Sequence, residues 1–277
     1  MTFFAQTIPL RRCLAVALSP LVLGGILSGC ASLQSGPAKG QLEVRANGED
    51  FVRRGLVTKD SWAITFDHVY ITLAELEALQ TDPPFDPDGG TTPQVVHRQT
   101  LPASQVVDLA SPNASTALVA SFPEASAGRY NALLVAIAPA KTGPAIGESL
   151  RLVGQAEKAG RNISFTLDWD QAYRYACGDF IGDQRKGILK AGDRADLEVT
   201  FHFDHVFGNG EAPASDELNQ TALGFEPLAR LATSQDQIQL DRAALQAQLT
   251  PDDWKRLEAA MAGLVHTGEG HCQETQT

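Results

Sequence analysis

Hydrophobic and polar positions alternate along much of residues 41–209, and a period of two predicts β-strands. The alternation runs through Gln41-Leu42-Glu43-Val44-Arg45, Trp62-Ala63-Ile64-Thr65-Phe66, residues 162–167 and Leu197-Glu198-Val199-Thr200-Phe201. Strand-like runs recur at 106–109 and 129–138. Turn-forming clusters separate them at 82–90, at Ser111-Pro112-Asn113 and at 178–187. Many short strands punctuated by Gly and Pro predict a mainly β fold, an antiparallel β-sandwich over residues 41–209. The pattern changes after that. Thr250-Pro251-Asp252-Asp253 has the N-cap, the proline and the first-turn acids of a helix start. Trp254, Leu257, Met261, Leu264 and Val265 then follow at helical spacing. A shorter helix is predicted over 241–249. Residues 210–277 therefore read as a helical segment with a His-containing tail, packed on the sandwich.

The first 29 residues carry Arg11 and Arg12 and no acid, followed by an apolar run over 13–26 that is too short for a membrane span and is broken by Pro20. Leu27-Ser28-Gly29-Cys30 resembles the lipobox of bacterial lipoproteins. That resemblance implies a signal peptide over 1–29 and a lipidated Cys30 bearing palmitate-type chains. Residues 30–40 would then form a short tether to the membrane. Ala31, where an Asp would imply retention at the inner membrane, implies the outer membrane, facing the periplasm. The plainer alternative is ordinary cleavage near Ala31, with Cys30 incidental.

With Cys13 in the leader and Cys30 at the anchor, Cys177 and Cys272 remain. Two thiols in an oxidising compartment predict a disulfide. Closing a loop of 95 residues, it would contribute about 4 to 5 kcal/mol on the chain-entropy model. The alternative makes one or both metal thiolates, since Cys272 follows His271. Charge narrows the partners. The 22 Lys+Arg against 33 Asp+Glu, a net −11, exclude the basic stripe of a nucleic-acid binder and docking on anionic lipid by charge alone.

One pentapeptide nearly repeats: Phe66-Asp67-His68-Val69-Tyr70 and Phe203-Asp204-His205-Val206-Phe207. If each lies in a strand, His202 and Asp204 share one face of the second copy, roughly 7 Å apart at the backbone, and His205 faces the other way. Five of the six histidines fall in three groups: His68 with Asp67; His202, Asp204 and His205; His266 and His271 with Glu269. Imidazole with carboxylate is a ligand set for zinc or copper. The metal-site expectation therefore names His202, Asp204, His205, His68, His266 and His271, with the Cys177–Cys272 bridge holding the tail near the sheet. The competing reading makes the histidines structural, hydrogen-bonded to backbone or carboxylate. His97 stands alone in a polar loop and is left out.

Asp86-Pro87-Asp88-Gly89 begins like an EF-hand, but Pro87 and the His at its twelfth position break the loop, leaving a turn. Asp168 and Asp170 read as alternating acids on a solvent face. Trp169, Tyr173 and Tyr175 at period two read as core. No hydrolase elbow, zincin, P-loop or dinucleotide fingerprint is present, and no catalytic residue is assigned.

Residues 66–73 (FDHVYITL), Val107-Asp108-Leu109 and the run Ala127-Gly128-Arg129-Tyr130 into a strand are similar to two groups of bacterial envelope β-sandwich domains. One is the copper-binding periplasmic family encoded beside methanobactin genes; the other is a domain of unknown function common in lipoproteins. The likeness covers about half the chain. It implies a sandwich that binds copper or another transition metal, with His205 as the first residue carried over and Trp169 as the second. The resulting expectation is an outer-membrane-anchored lipoprotein binding copper or zinc for uptake, storage or buffering, without turnover. The alternative is a non-metal assembly module that docks an outer-membrane protein partner. A zinc hydrolase would need an open coordination position.

Overall fold

The period-two alternation folds as strands, and the computed structural model describes them over residues 38–111, 116–178, 187–267 and 270–275. These lie in one unit, Pro37–Thr277. The leader, Cys30 and most of the tether lie outside the described residues, as do Pro112, Asn113, residues 179–186 and Glu269. In chain order the strands are β1 (Lys39–Asn47), β2 (Leu56–Val57), β3 (Ala63–Thr81), β4 (Val95–Thr100), β5 (Gln105–Asp108), β6 (Ala117–Ser126), β7 (Gly128–Arg129), β8 (Ala132–Ile137), β9 (Leu150–Lys158), β10 (Arg161–Trp169), β11 (Tyr173–Gly178), β12 (Ile188–Leu189), β13 (Arg194–Phe201), β14 (Gln237–Asp241), β15 (Val265–Thr267) and β16 (Gly270–Thr275). Six short helices accompany them: α1 (Glu49–Arg54), α2 (Asp204–Phe207), α3 (Glu217–Thr221), α4 (Glu226–Ala229), α5 (Arg242–Gln248) and α6 (Pro251–Ala262).

The fold is mainly β and mostly antiparallel. Its main sheet runs β14-β10-β9-β3-β8-β11-β16-β15-β13-β1-β6, with β2, β4 and β5 also paired to β3. Two pairings are parallel: β1 with β13, and β10 with β14. The long strand β3 organises the rest. Its first half pairs with β9 and its second with β8, while β2, β5 and β4 pair along the opposite flank.

Nineteen residues of unbroken alternation do not occur in β3. Ile64 is buried on one phase, Val69, Ile71 and Leu73 on the other, and Leu76 and Ala78 on the first again. Each change of phase falls at a bulge, between Phe66 and His68 and between Leu73 and Glu75. One extra residue in a strand swaps its faces, so the two bulges keep the apolar side chains inward as the strand passes from one set of partners to the next.

The two predicted helices form as α5 and α6. Asp241 and Thr250 cap them, accepting hydrogen bonds from the Ala244 and Asp253 amides. Trp254, Leu257 and Met261 are buried, with Leu257 and Met261 beside Leu150, Leu152 and Leu167. Leu264 and Val265 do not continue the stripe. The helix ends at Gly263, and the chain re-enters the sheet as β15 and β16, between β13 and β11. The C-terminal segment is thus partly strand and fills the middle of the sheet rather than only packing on it. Cys177 and Cys272 sit directly opposite each other on β11 and β16 and form a disulfide. Thiolate ligation is set aside.

Packing, hydrogen bonds and strand pairing decide four side readings. Trp169 donates Nε1–H to the Tyr173 hydroxyl at 3.1 Å and stacks on Trp254 at 5.6 Å, so this aromatic stripe is core. Asp168 is bound by Arg151 through two hydrogen bonds and Asp170 by Arg242 through one. Asp86 caps a short 3-10 turn. His97 is carried by β4 rather than by a loop.

The Tyr175 hydroxyl is buried without a hydrogen-bond partner among the described residues. Burial pushes its phenol upward and that of Tyr173 up to about 12. A raised phenol favours the neutral form in the fold. Its contribution is therefore complete below the ordinary tyrosine value near pH 10 and is lost as pH climbs toward 12. Tyr175→Phe removes an unpaired hydroxyl and is expected to raise stability at pH 7 by about 1 kcal/mol and to flatten the alkaline decline. Urea unfolding at a series of pH values checks this; a loss of stability at pH 7 would show that the hydroxyl has a partner.

Candidate metal centre

Strands that run parallel end at the same edge, so whatever follows β1 and β13 is brought together there. Asn47, the last residue of β1, pairs with Thr200, and β13 ends one residue later at Phe201. α1 follows the first strand, and His202 with α2 follows the second. From the other direction, the end of α6 turns through Gly263 into β15, where His266 pairs with Thr200.

His202 and Asp204 do not share a strand face, as the period-two expectation had it. His202 donates its amide to Leu264 O (3.0 Å), and the chain then turns helical, with Phe207 N–H reaching Phe203 O and Gly208 N–H reaching Asp204 O. Phe203, Val206 and Phe207 are buried at positions i, i+3 and i+4, and Gly208 with φ 72° ends the turn. Aromatic packing holds this turn: the ring of Phe66 lies 6.1 Å from those of both Phe203 and Phe207. With the apolar stripe inward, His202 and His205, three residues apart, come to one side, rings 5.5 Å apart and stacked.

His266 completes the cluster, its ring 4.4 Å from that of His202 and 5.1 Å from that of His205. One ligand atom each from His202, Asp204 and His205 lies within 4.8 Å of the other two. Two bonds of about 2.1 Å to one ion place ligand atoms at most about 4.2 Å apart. In a tetrahedral shell the atoms lie about 3.4 Å apart, so the group would have to draw together to hold a cation. Asp204 Oδ1 is buried without a hydrogen-bond partner, and His202 Nδ1 stands 3.9 Å from it. A buried carboxylate oxygen normally takes an N–H, because leaving it unpaired is costly. His205 Nδ1 lies 3.2 Å from the Gly263 carbonyl. A carbonyl can only accept, so Nδ1 carries the proton and Nε2 keeps its lone pair for a ligand. Zinc and copper both accept this set of imidazole and carboxylate donors.

The remaining predicted ligands divide. His68 lies just past the first bulge of β3, half exposed, with Nδ1 2.8 Å from Asp108 Oδ2 and its ring stacked on Tyr70 at 4.9 Å. Asp108 also accepts the Val69 amide, so His68 has the carboxylate-bound structural role and stands outside the convergent group. The two copies of the pentapeptide are unlike in structure, one a bulged strand and the other a helical turn. His271 faces His266 in backbone register across the β15–β16 hairpin; its side chain lies outside the described residues. Trp169 belongs to the core and not to the histidine group.

Sequence reasoning missed Glu49, whose Oε2 lies 3.4 Å from His202 Nδ1. No local motif links the two; only the pairing of β1 with β13 does. No family model, curated protein or solved structure matches the chain.

The disulfide fastens β16 to β11 and thereby anchors the hairpin that carries His266. Reduction, or the pair Cys177→Ala and Cys272→Ala, is expected to cost about 4 kcal/mol and to speed exchange of the amides of β15. Denaturant melts with and without reductant, and hydrogen exchange, measure both. Unchanged stability and protection would mean that the hairpin is held by the sheet alone.

Proposed function

We propose that the protein is an outer-membrane-anchored lipoprotein that binds one copper or zinc ion for uptake, storage or buffering. In this reading its main sheet doubles over as a sandwich. The observation that carries it is the convergence of His202 and His205 on Asp204, one oxygen of which is buried without a hydrogen bond, with the His266 ring 4.4 Å and 5.1 Å from theirs. His202, Asp204 and His205 would hold the ion, with His266 in reach. The ion would supply the positive charge that the Asp204 oxygen lacks a donor for. His202 and Asp204 side chains are about one-fifth exposed, which suits an ion that exchanges with solvent better than one sealed in for structure.

The envelope part of the proposal rests on the leader, on Leu27-Ser28-Gly29-Cys30, and on a disulfide of the kind that persists in oxidising compartments. Support for the sandwich comes from β4 and β5, which lie against β6 at the far end of the sheet path.

Residues 31–277 purified from the periplasm without a His-tag are expected to contain about one copper or zinc per chain. His202→Ala with His205→Ala should remove it while unfolding stays cooperative. Elemental analysis and thermal melts read the two effects. A metal-free wild type that takes up neither ion overturns the reading and makes the cluster structural, as in a docking module. A double variant with unchanged metal content would place the site elsewhere. Separately, Cys30→Ser is expected to move the full chain from the membrane fraction to the soluble periplasm; retention in the membrane would refute the lipid anchor.

A further inference from the structure

Glu49 is the one positive-φ, non-glycine residue among the described residues that is found in a helix. Four such residues occur. Ala159 shares the β9–β10 hairpin with Gly160, and Ser61 and Asp236 sit in turns before Trp62 and β14. Glu49, at φ 60°, is the first residue of α1. A side chain with a Cβ pays for that conformation and glycine does not. The glycine in this segment is the preceding residue, Gly48, whose φ of −105° any residue could adopt. The chain thus puts its strain on the residue that bears a carboxylate.

The strained conformation is held from both sides. The Glu49 amide donates to Asn47 Oδ1 at 2.8 Å, and Arg53 donates to the same oxygen at 3.0 Å. Asn47 in turn donates to Glu198 on β13 at 3.0 Å. The backbone of residue 49 is therefore fixed to the strand that delivers His202. Its carboxylate approaches Nδ1 of His202 to 3.4 Å, while Nε2 of that ring is buried. Glu49 is outside the group of three whose ligand atoms converge.

We propose that Glu49 is the positioning residue of the metal centre, and that the strain at φ 60° is retained because it sets this carboxylate against His202. The inference rests on the metal-binding reading above and adds the residue that orients its ligand. Where His202 takes the ion through Nε2, a carboxylate at Nδ1 fixes the tautomer and raises the basicity of the binding nitrogen. The Gly263 carbonyl serves His205 in the same way. Glu49 thus acts on the ion through His202.

Glu49→Gln keeps shape and backbone strain and removes the charge; Glu49→Gly removes the carboxylate and the strain together. In competition titrations of residues 31–277 against a chromophoric chelator, with zinc alone and copper alone as probes, both variants are expected to bind roughly 10- to 100-fold more weakly than wild type. The metal-free melting temperature separates positioning from a purely structural role. It should stay put in Glu49→Gln and hold or rise, by about 2 °C, in Glu49→Gly. Wild-type affinity in both variants overturns the proposal, as does an affinity loss matched by a fall in metal-free stability. A wild type that binds neither probe fails the metal reading itself, and the wild-type titration shows this on its own.

Discussion

Two strands running the same way deliver their exits to one edge of a sheet, and β1 and β13 do so in register from Gln41 opposite Arg194 to Asn47 opposite Thr200. In an otherwise mostly antiparallel sheet, neighbouring strands exit at opposite edges and their following segments separate. The parallel pair reverses that. It places α1 beside the turn after β13, and it leaves His202 facing Glu49. β15 then pairs with β13 from the other flank and brings His266 to the same edge. The histidine cluster depends on this strand order more than on any local motif.

Local rules carried a long way where the chemistry is local. The alternation of residues 41–45 and 197–201 is the alternation of β1 and β13, and the caps of α5 and α6 are the Asp and Thr that their sequences display. Setting aside Cys13 and Cys30 left Cys177 and Cys272 as a pair, and an oxidising compartment favoured the bridge that forms over metal thiolates. What could not be read was phase and adjacency. Nothing in FDHVYITLAEL marks where β3 slips by one residue, and each slip exchanges the faces, which is why His68 lies outside the candidate site. The turn at 203–207 was legible in principle: Phe203, Val206 and Phe207 followed by Gly208 is a helical stripe with its stop. Its likeness to residues 66–70 drew the reading toward a strand. Glu49 was beyond reach, because its partner is set by a pairing between distant strands.

Each donor of the cluster is constrained by something that is not itself a ligand. A backbone carbonyl fixes His205, the Phe66–Phe203–Phe207 packing fixes the turn, and a disulfide two strands away fixes the hairpin under His266. Preorganisation of this kind lowers the cost of closing side chains around an ion. The same supports hold Asp204 with one carboxylate oxygen buried and without a hydrogen bond, an arrangement that carries a free-energy cost.

The last segment of the chain occupies the interior of the sheet. β15 and β16 are built from residues 265–275, yet they fill the gap between β11 and β13. Until those residues have left the ribosome, β11 and β13 are both open edges with unpaired backbone groups. A nascent chain lacking them cannot close its sheet, and it exposes the sort of edge that pairs with other molecules. Closure of the sheet must therefore wait for residues 265–275. A chain cut before Val265 loses two strands from the interior of the sheet rather than a frayed edge.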